Sequence, residues 1–159
     1  MKAVIMAGGE GTRLRPLTSN APKPMLPVAN RPMMEYVVQL LKRHGFDEIV
    51  VTVAFMANAI RNEFGDGSQH GVKIVYADEP TPLGTAGSVR NAKEFLDERF
   101  LVISGDVVTD VDLTKIVAAH DDRGAMATIG LIRVDNPLEF GIVITREDST
   151  IERFLEKPT

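Results

Sequence analysis

Residues 3–14 read Ala3-Val4-Ile5-Met6-Ala7-Gly8-Gly9-Glu10-Gly11-Thr12-Arg13-Leu14. The first four form the near-continuous apolar run expected of a strand buried on both faces. Three glycines follow, which let the backbone turn sharply and bring N–H groups against an anion where side chains would obstruct. Two familiar phosphate loops are excluded. The Walker pattern requires Lys and then Ser or Thr after its last glycine, whereas Thr12-Arg13 stands here. The dinucleotide fingerprint requires a small residue three places after Gly11, and Leu14 occupies it. A glycine-rich anion loop of neither kind is expected.

Outward from this stretch, a long loop runs through Pro16, Pro22, Pro24 and Pro27. Pro32 sits where a helix can start, and Met33, Tyr36, Val37, Leu40 and Leu41 recur at helical spacing up to Gly45. Strands are predicted at 49–53, 72–76 and 100–103, with helical stretches at 57–64 and 85–96. Asp112 is placed to cap a helix ending near Arg123. After Gly124 the pattern changes to strands at 127–133, 141–145 and 151–155, with Glu147-Asp148-Ser149 as a hairpin connection. Alternating β and α segments imply an α/β fold with a doubly wound, mostly parallel sheet. The expected division is a nucleotide-binding α/β part over 1–124 and the start of a β-rich part over 125–159. Glu156-Lys157-Pro158-Thr159 follows a strand directly with no closing helix, which reads as a boundary imposed on a longer protein.

The 159 residues are 44% hydrophobic and 25% charged, an ordinary globular composition that sets aside disordered and collagen-like readings. No run approaches the length of a membrane helix, and the segment before the glycines is too short for a signal-peptide core. The absence of cysteine excludes disulfides, thiolate-bound zinc and cysteine nucleophiles, and suits a reducing cytoplasm. The net charge of −4 is uneven: residues 1–34 carry +4 and the remainder −8. A basic, glycine-rich segment in an acidic protein points to a local anion site, not to a nucleic-acid surface.

Three further positions are chemically suggestive. Lys23 lies between Pro22 and Pro24, which restrict the backbone on both sides and hold its ammonium in place. Asp106 follows Gly105 at the carboxyl end of the fourth predicted strand, where open α/β sheets bind ligands, and a hard carboxylate there suits Mg²⁺. In Glu79-Pro80-Thr81-Pro82-Leu83-Gly84-Thr85-Ala86-Gly87, two prolines stiffen a loop ending in small residues, over which a flat ring can lie close to the backbone. His44, His70 and His120 share no metal-ligand spacing, and no Ser, His and Asp set suggests acyl transfer.

Together, Gly8 to Thr18 with Pro22-Lys23-Pro24-Met25, then Leu83-Gly84-Thr85-Ala86-Gly87, Gly105-Asp106, Phe140-Gly141 and Glu156-Lys157-Pro158, closely resemble the sugar-1-phosphate nucleotidylyltransferases. The run from Glu79 to Val89 with Asp97-Glu98-Arg99-Phe100 looks most like mannose-1-phosphate guanylyltransferases, some of them fused to a phosphomannomutase-like domain. The resemblance implies a Rossmann-like fold of the nucleotide-diphospho-sugar transferase type, C-terminally truncated. It implies transfer of a nucleotidyl group from a nucleoside triphosphate to a sugar 1-phosphate, with Mg²⁺, by a homo-oligomer that engages neither nucleic acid nor membrane. Ala7, Gly8, Gly9, Gly11, Thr12, Gly84 and Thr85 would hold the nucleotide and Arg13 its β- and γ-phosphates. Lys23 would neutralise the α-phosphate and Asp106 would bind the metal. Gly141 and Glu156 would contact the sugar and Lys157 its phosphate. Relatives continue past the Glu-Lys-Pro motif into a region carrying a second metal-binding aspartate.

This chemistry suits the residue set. A sugar phosphate has a second pKa near ~6, so the nucleophile is largely ionised at neutral pH and requires no general base. The obstacle is repulsion between polyanions, which cations and in-line positioning overcome. Guanine presents N1–H and its exocyclic amine as adjacent donors to the two oxygens of Glu79, whereas uracil and thymine present one N3–H between two carbonyls. Guanosine is therefore favoured, and the resemblance to guanylyltransferases implies mannose 1-phosphate as the sugar. Glucose-1-phosphate thymidylyl or uridylyl transfer is the alternative within the class, and a non-catalytic nucleotide-sugar sensor the alternative outside it.

Overall fold

In chain order the elements are β1 (Lys2–Met6), two-residue strands β2 (Pro27–Val28) and β3 (Arg31–Pro32), α1 (Met33–Arg43), β4 (Glu48–Val53), α2 (Ala57–Phe64), β5 (Lys73–Asp78), α3 (Gly84–Asn91), β6 (Phe100–Ser104), α4 (Leu113–Arg123), β7 (Gly141–Thr145) and β8 (Ile151–Glu156). The computed structural model describes residues 1–81, 83–96, 99–136 and 140–156. They fall into two compact units, Met1–Leu113 and Thr114–Thr159.

The first unit is built on a parallel sheet of order β5-β4-β1-β6. From β1 the chain steps outward to β4 and β5, then returns to the other side of β1 for β6, which puts the topological switch beside β1. The doubly wound, mostly parallel sheet expected from the sequence is therefore present. Ala3, Val4 and Ile5 of β1 and Ile49, Val50, Val51 and Val53 of β4 are buried, as two-sided coverage requires. Val4, Val50, Ala77 and Ala92 form one cluster, against which Val75, Val89, Phe95, Leu96 and Phe100 pack. α1 buries Met34, Val37, Val38, Leu40 and Leu41, an i, i+3, i+4, i+7 stripe, and α2 buries Ile60 and Phe64. Each fully buried side chain of this size contributes about 1.5–3 kcal/mol.

Two elements differ from the sequence reading. The helix expected over 85–96 ends at Asn91, and Lys93–Phe95 tighten into a 3-10 turn. The tighter turn delivers Phe95 and Leu96 to the Val4–Val50 cluster. The strand expected over 127–133 is absent. Its apolar pattern is real, but Ile129, Leu131 and Ile132 are exposed, the last at 87%. A strand exists only through a partner's hydrogen bonds, and none pairs with this segment among the described residues.

In the second unit β7 and β8 form an antiparallel hairpin, as expected. Its turn is held by Thr150, whose N–H and hydroxyl donate to Asp148 Oδ1 at 2.9 and 2.7 Å. These two bonds hold the Asp148 carboxyl below the ordinary carboxylate value. No helix among the described residues is long and apolar enough to cross a membrane.

Because Leu41 is fully buried, Leu41→Ala should lower unfolding free energy by about 2–5 kcal/mol. Urea denaturation followed by circular dichroism measures this as a lower midpoint with an unchanged slope.

Candidate active site

All four parallel strands end at one edge, and residues at or just past the carboxyl ends of β1, β5 and β6 help wall a cleft of about 580 Å³. The backbone holds this edge together. Ala7 N–H donates to Thr52 C=O at 3.0 Å, Gly105 N–H to Met6 C=O at 2.9 Å, and Glu79 N–H to Val53 C=O at 2.8 Å. Each bond carries the parallel ladder one residue past its strand, so the residues that follow leave the sheet in fixed directions.

The glycine loop after β1 forms one wall through Ala7, Gly8, Gly9 and Gly11. Gly11 adopts φ +62°, and its carbonyl accepts the hydroxyl of buried Thr18 at 2.9 Å. Leu14 N–H closes a 3-10 turn onto the same carbonyl. Arg13, on that turn, lines the cleft and makes no hydrogen bond or ion pair to another described residue. Thr12 begins the turn and is not among the lining residues.

Lys23 and Asp106 meet across the cleft, Nζ to Oδ2 at 2.7 Å, with side chains 32% and 33% exposed. Lys23 opens a short 3-10 turn whose Pro24 is buried, which anchors its backbone. Asp106 follows Gly105, where a Cβ would lie 2.9 Å from Ile5 Cγ2 and 3.2 Å from the Met6 carbonyl. Only glycine lets the chain pass that close to β1 and carry Asp106 over the cleft.

Glu79 lies on the wall formed by β5. A Cβ on Gly8 would stand 2.9 Å from Glu79 Oε1, so the carboxylate is seated against the bare backbone of the glycine loop. Oε1 is buried with no hydrogen-bond partner. An acceptor withdrawn from water without a donor is costly, and a donor brought by a ligand relieves that cost. Gly84 and Thr85 at the start of α3 also line the cleft.

The structure thus gathers Ala7, Gly8, Gly9, Gly11, Arg13, Lys23, Glu79, Gly84, Thr85 and Asp106 around one space. Gly141 and Glu156 belong to the second unit, where they face each other as register partners of β7 and β8. Lys157 lies outside the described residues. Sequence reasoning passed over Ser88 and Ser104, which also line the cleft. Ser104, at the end of β6, carried the same positional signal as Asp106. Ser88 donates its hydroxyl to the Gly84 carbonyl at 2.6 Å, an i to i−4 bond visible only once α3 is known to start there. Among the described residues no group of three or more His, Cys, Asp or Glu converges as a metal site.

A glycine-loop cleft with opposed cation and carboxylate at the switch of a parallel sheet is the place where open α/β proteins bind their ligands. Residues 2–159 match the family described as nucleotidyl transferase, and the chain belongs to that family. It is 41% identical to a UTP–glucose-1-phosphate uridylyltransferase of Synechocystis, an alignment covering 99% of this chain and 44% of that protein. It is 39% identical to a mannose-1-phosphate guanylyltransferase of Mycobacterium tuberculosis, covering 98% and 44%. The chain spans less than half the length of these curated relatives. A Bacillus anthracis structure described as a candidate glucose-1-phosphate thymidylyltransferase, in complex with a sucrose, superimposes with TM-score 0.86 at 29% identity, covering 99% of this chain and 65% of that one. The family resemblance read from the motifs is borne out, and relatives carry both uridylyl and guanylyl names.

Gly105→Ala should cost about 1–3 kcal/mol of stability, because its methyl meets Ile5 and a carbonyl that cannot retreat without disturbing β1. Urea denaturation measures the loss.

Proposed function

We propose that this chain is the nucleotide-binding part of an enzyme that transfers a nucleotidyl group from GTP to mannose 1-phosphate, releasing pyrophosphate. The observation that carries the choice of base is Glu79, a carboxylate on the cleft wall with a buried oxygen that lacks a donor. Guanine brings two adjacent donors to such a group. The supporting relatives include the Mycobacterium guanylyltransferase. A second reading, uridylyl transfer to glucose 1-phosphate, is favoured by the Synechocystis relative at 41% identity. Residues 1–124 would carry the nucleotide and 125–159 would begin the sugar side, with Gly141 and Glu156 at the sugar and Lys157 at its phosphate. The setting inferred is the cytoplasm.

In the reaction an oxygen of the sugar phosphate attacks the α-phosphorus. The new P–O bond forms as the bond to the pyrophosphate oxygen breaks, and the electron pair leaves with pyrophosphate. Arg13 neutralises the β- and γ-phosphates and so stabilises the leaving group. Lys23 neutralises the α-phosphate, where charge density rises as the nucleophile approaches. The backbone of Ala7 to Thr12 orients the triphosphate for in-line attack.

Asp106 fits Mg²⁺. It offers one hard carboxylate into the cleft, already facing a cation in the form of the Lys23 ammonium. That ion takes one or two carboxylates and completes its shell with phosphate oxygens and water, so a larger acidic cluster is not required. When bound it supplies charge neutralisation at the phosphates.

Thermal denaturation with GTP, UTP, dTTP and ATP, each with and without Mg²⁺, tests this reading. At one hundred times the dissociation constant a ligand stabilises by about 2.7 kcal/mol, and GTP with Mg²⁺ should give the largest shift. A larger shift with UTP would transfer the assignment to the second reading. Arg13→Ala should bring the affinity for GTP down about tenfold or more, to near that for GMP, since a charged contact to the terminal phosphates is lost. Equal losses for GTP and GMP in a calorimetric titration would remove Arg13 from the leaving-group role. Glu79→Gln should shift preference from GTP toward UTP and dTTP by about tenfold or more, as an amide both donates and accepts.

A further inference from the structure

The Asp78–Glu79 peptide unit is held from both sides. Its N–H, on Glu79, donates to the Val53 carbonyl at 2.8 Å. Its C=O, on Asp78, accepts the Asn91 side-chain amide at 2.9 Å. The acceptor is a carbonyl, so only the NH₂ end of the amide satisfies it. Asp78 is held a third time, because its carboxylate receives Arg61 Nη2 at 2.6 Å on each oxygen, and that guanidinium lies 4.6 Å from the centre of the Tyr76 ring. Asn91 is the last residue of α3, and its position there follows from the early end of that helix. The same helix begins at Gly84 on the cleft, so the bond from Asn91 ties the far end of α3 back to the base of the loop it follows.

We propose that Asn91 is a positioning residue for base selection: it fixes the plane of the Asp78–Glu79 peptide and thereby the direction in which the Glu79 carboxylate enters the cleft. The inference rests on the reading of Glu79 given above. With one hydrogen bond at each edge of the peptide, rotation about the flanking dihedrals is restrained, and with it the direction of the Cα–Cβ bond of Glu79. With only the Val53 bond left, the peptide can tilt, and the carboxylate leaves its seat on Gly8. Arg61 acts on the Asp78 side chain, one rotatable bond further from that plane, and constrains it less.

Calorimetric dissociation constants for GTP and UTP with Mg²⁺ test the proposal in the wild-type chain, Asn91→Ala, Asn91→Asp and Glu79→Gln. Asn91→Ala should reduce the GTP-over-UTP preference about tenfold, the scale of one lost hydrogen bond on which placement depends. Asn91→Asp keeps the size but removes the donor, and should match it. Amide exchange gives a second readout independent of ligand: the Glu79 N–H should exchange faster in both variants, while Val75 N–H in the middle of β5 stays protected. If Asn91 were merely structural, both nucleotides would weaken equally and the preference would stand, which overturns the proposal. A changed preference in Glu79→Gln with an unchanged one in both Asn91 variants also overturns it while sparing the reading of Glu79. An unchanged preference in Glu79→Gln, or a wild type that binds neither nucleotide or both alike, overturns that reading and the inference with it. Should Asn91→Ala fail to fold, Asn91→Asp and its amide exchange decide the matter.

Discussion

β1 is hydrogen-bonded on both sides at the point where it leaves the sheet, through Ala7 to Thr52 and through Gly105 to Met6. The rest of the cleft depends on this double attachment. It aligns the ends of β4, β1 and β6 on one edge, and the segments that follow β1 and β6 line the same cleft. It also determines where glycine is required. Gly105 must pass within contact of Ile5 to make its bond, and Asp106 then has no course but outward over the glycine loop. A substitution at the end of β1 is therefore felt at Asp106, which lies a hundred residues away in sequence.

The charges of the cleft fit this frame. Arg13 and Lys23 line the same cleft, and two cations facing one space repel each other unless a counter-charge stands by. Asp106 meets Lys23 at 2.7 Å, whereas Arg13 faces solvent and the open cleft. The pair is one-third exposed, so its attraction is partly screened and it can exchange partners at moderate cost. A fully buried pair would resist that exchange. On the proposed reading this suits a site in which the lysine moves to a phosphate and the carboxylate to a metal ion, each charge keeping a partner throughout.

The parallel sheet was legible in the sequence because short, mostly apolar runs at 3–6, 49–53, 72–76 and 100–103 alternate with helical patterns. The segment 127–133 carries the same composition and forms no strand, because pairing is a property of the neighbour and not of the run. The end of α3 was not legible either. Ala92, Lys93, Glu94 and Leu96 all favour helix, and what ends it is the demand of the Val4–Val50 cluster for Phe95 and Leu96. At the cleft, the glycines, Arg13, Lys23, Glu79 and Asp106 were readable by residue type and position along strands. Their pairing was not. Lys23 with Asp106 and Asn91 with Asp78 are tertiary contacts, as is the seat of Glu79 on Gly8.

The two carboxylates of the cleft are chemically alike and differ only in surroundings, and that difference divides their work. Asp106 is met by an ammonium and opens to solvent, the environment of a group that exchanges one cation for another. Glu79 has an oxygen withdrawn from water against bare backbone, with no cation within bonding distance among the described residues and no donor. Such an acceptor gains most from a neutral ligand that brings N–H groups in a plane, and little from a hydrated ion that would have to shed its shell to reach it. A nucleotide has both kinds of group, a charged phosphate chain at one end and a flat set of neutral donors at the other. On the proposed reading the cleft meets each end with the carboxylate suited to it, and the orientation of the nucleotide follows from desolvation as well as from shape.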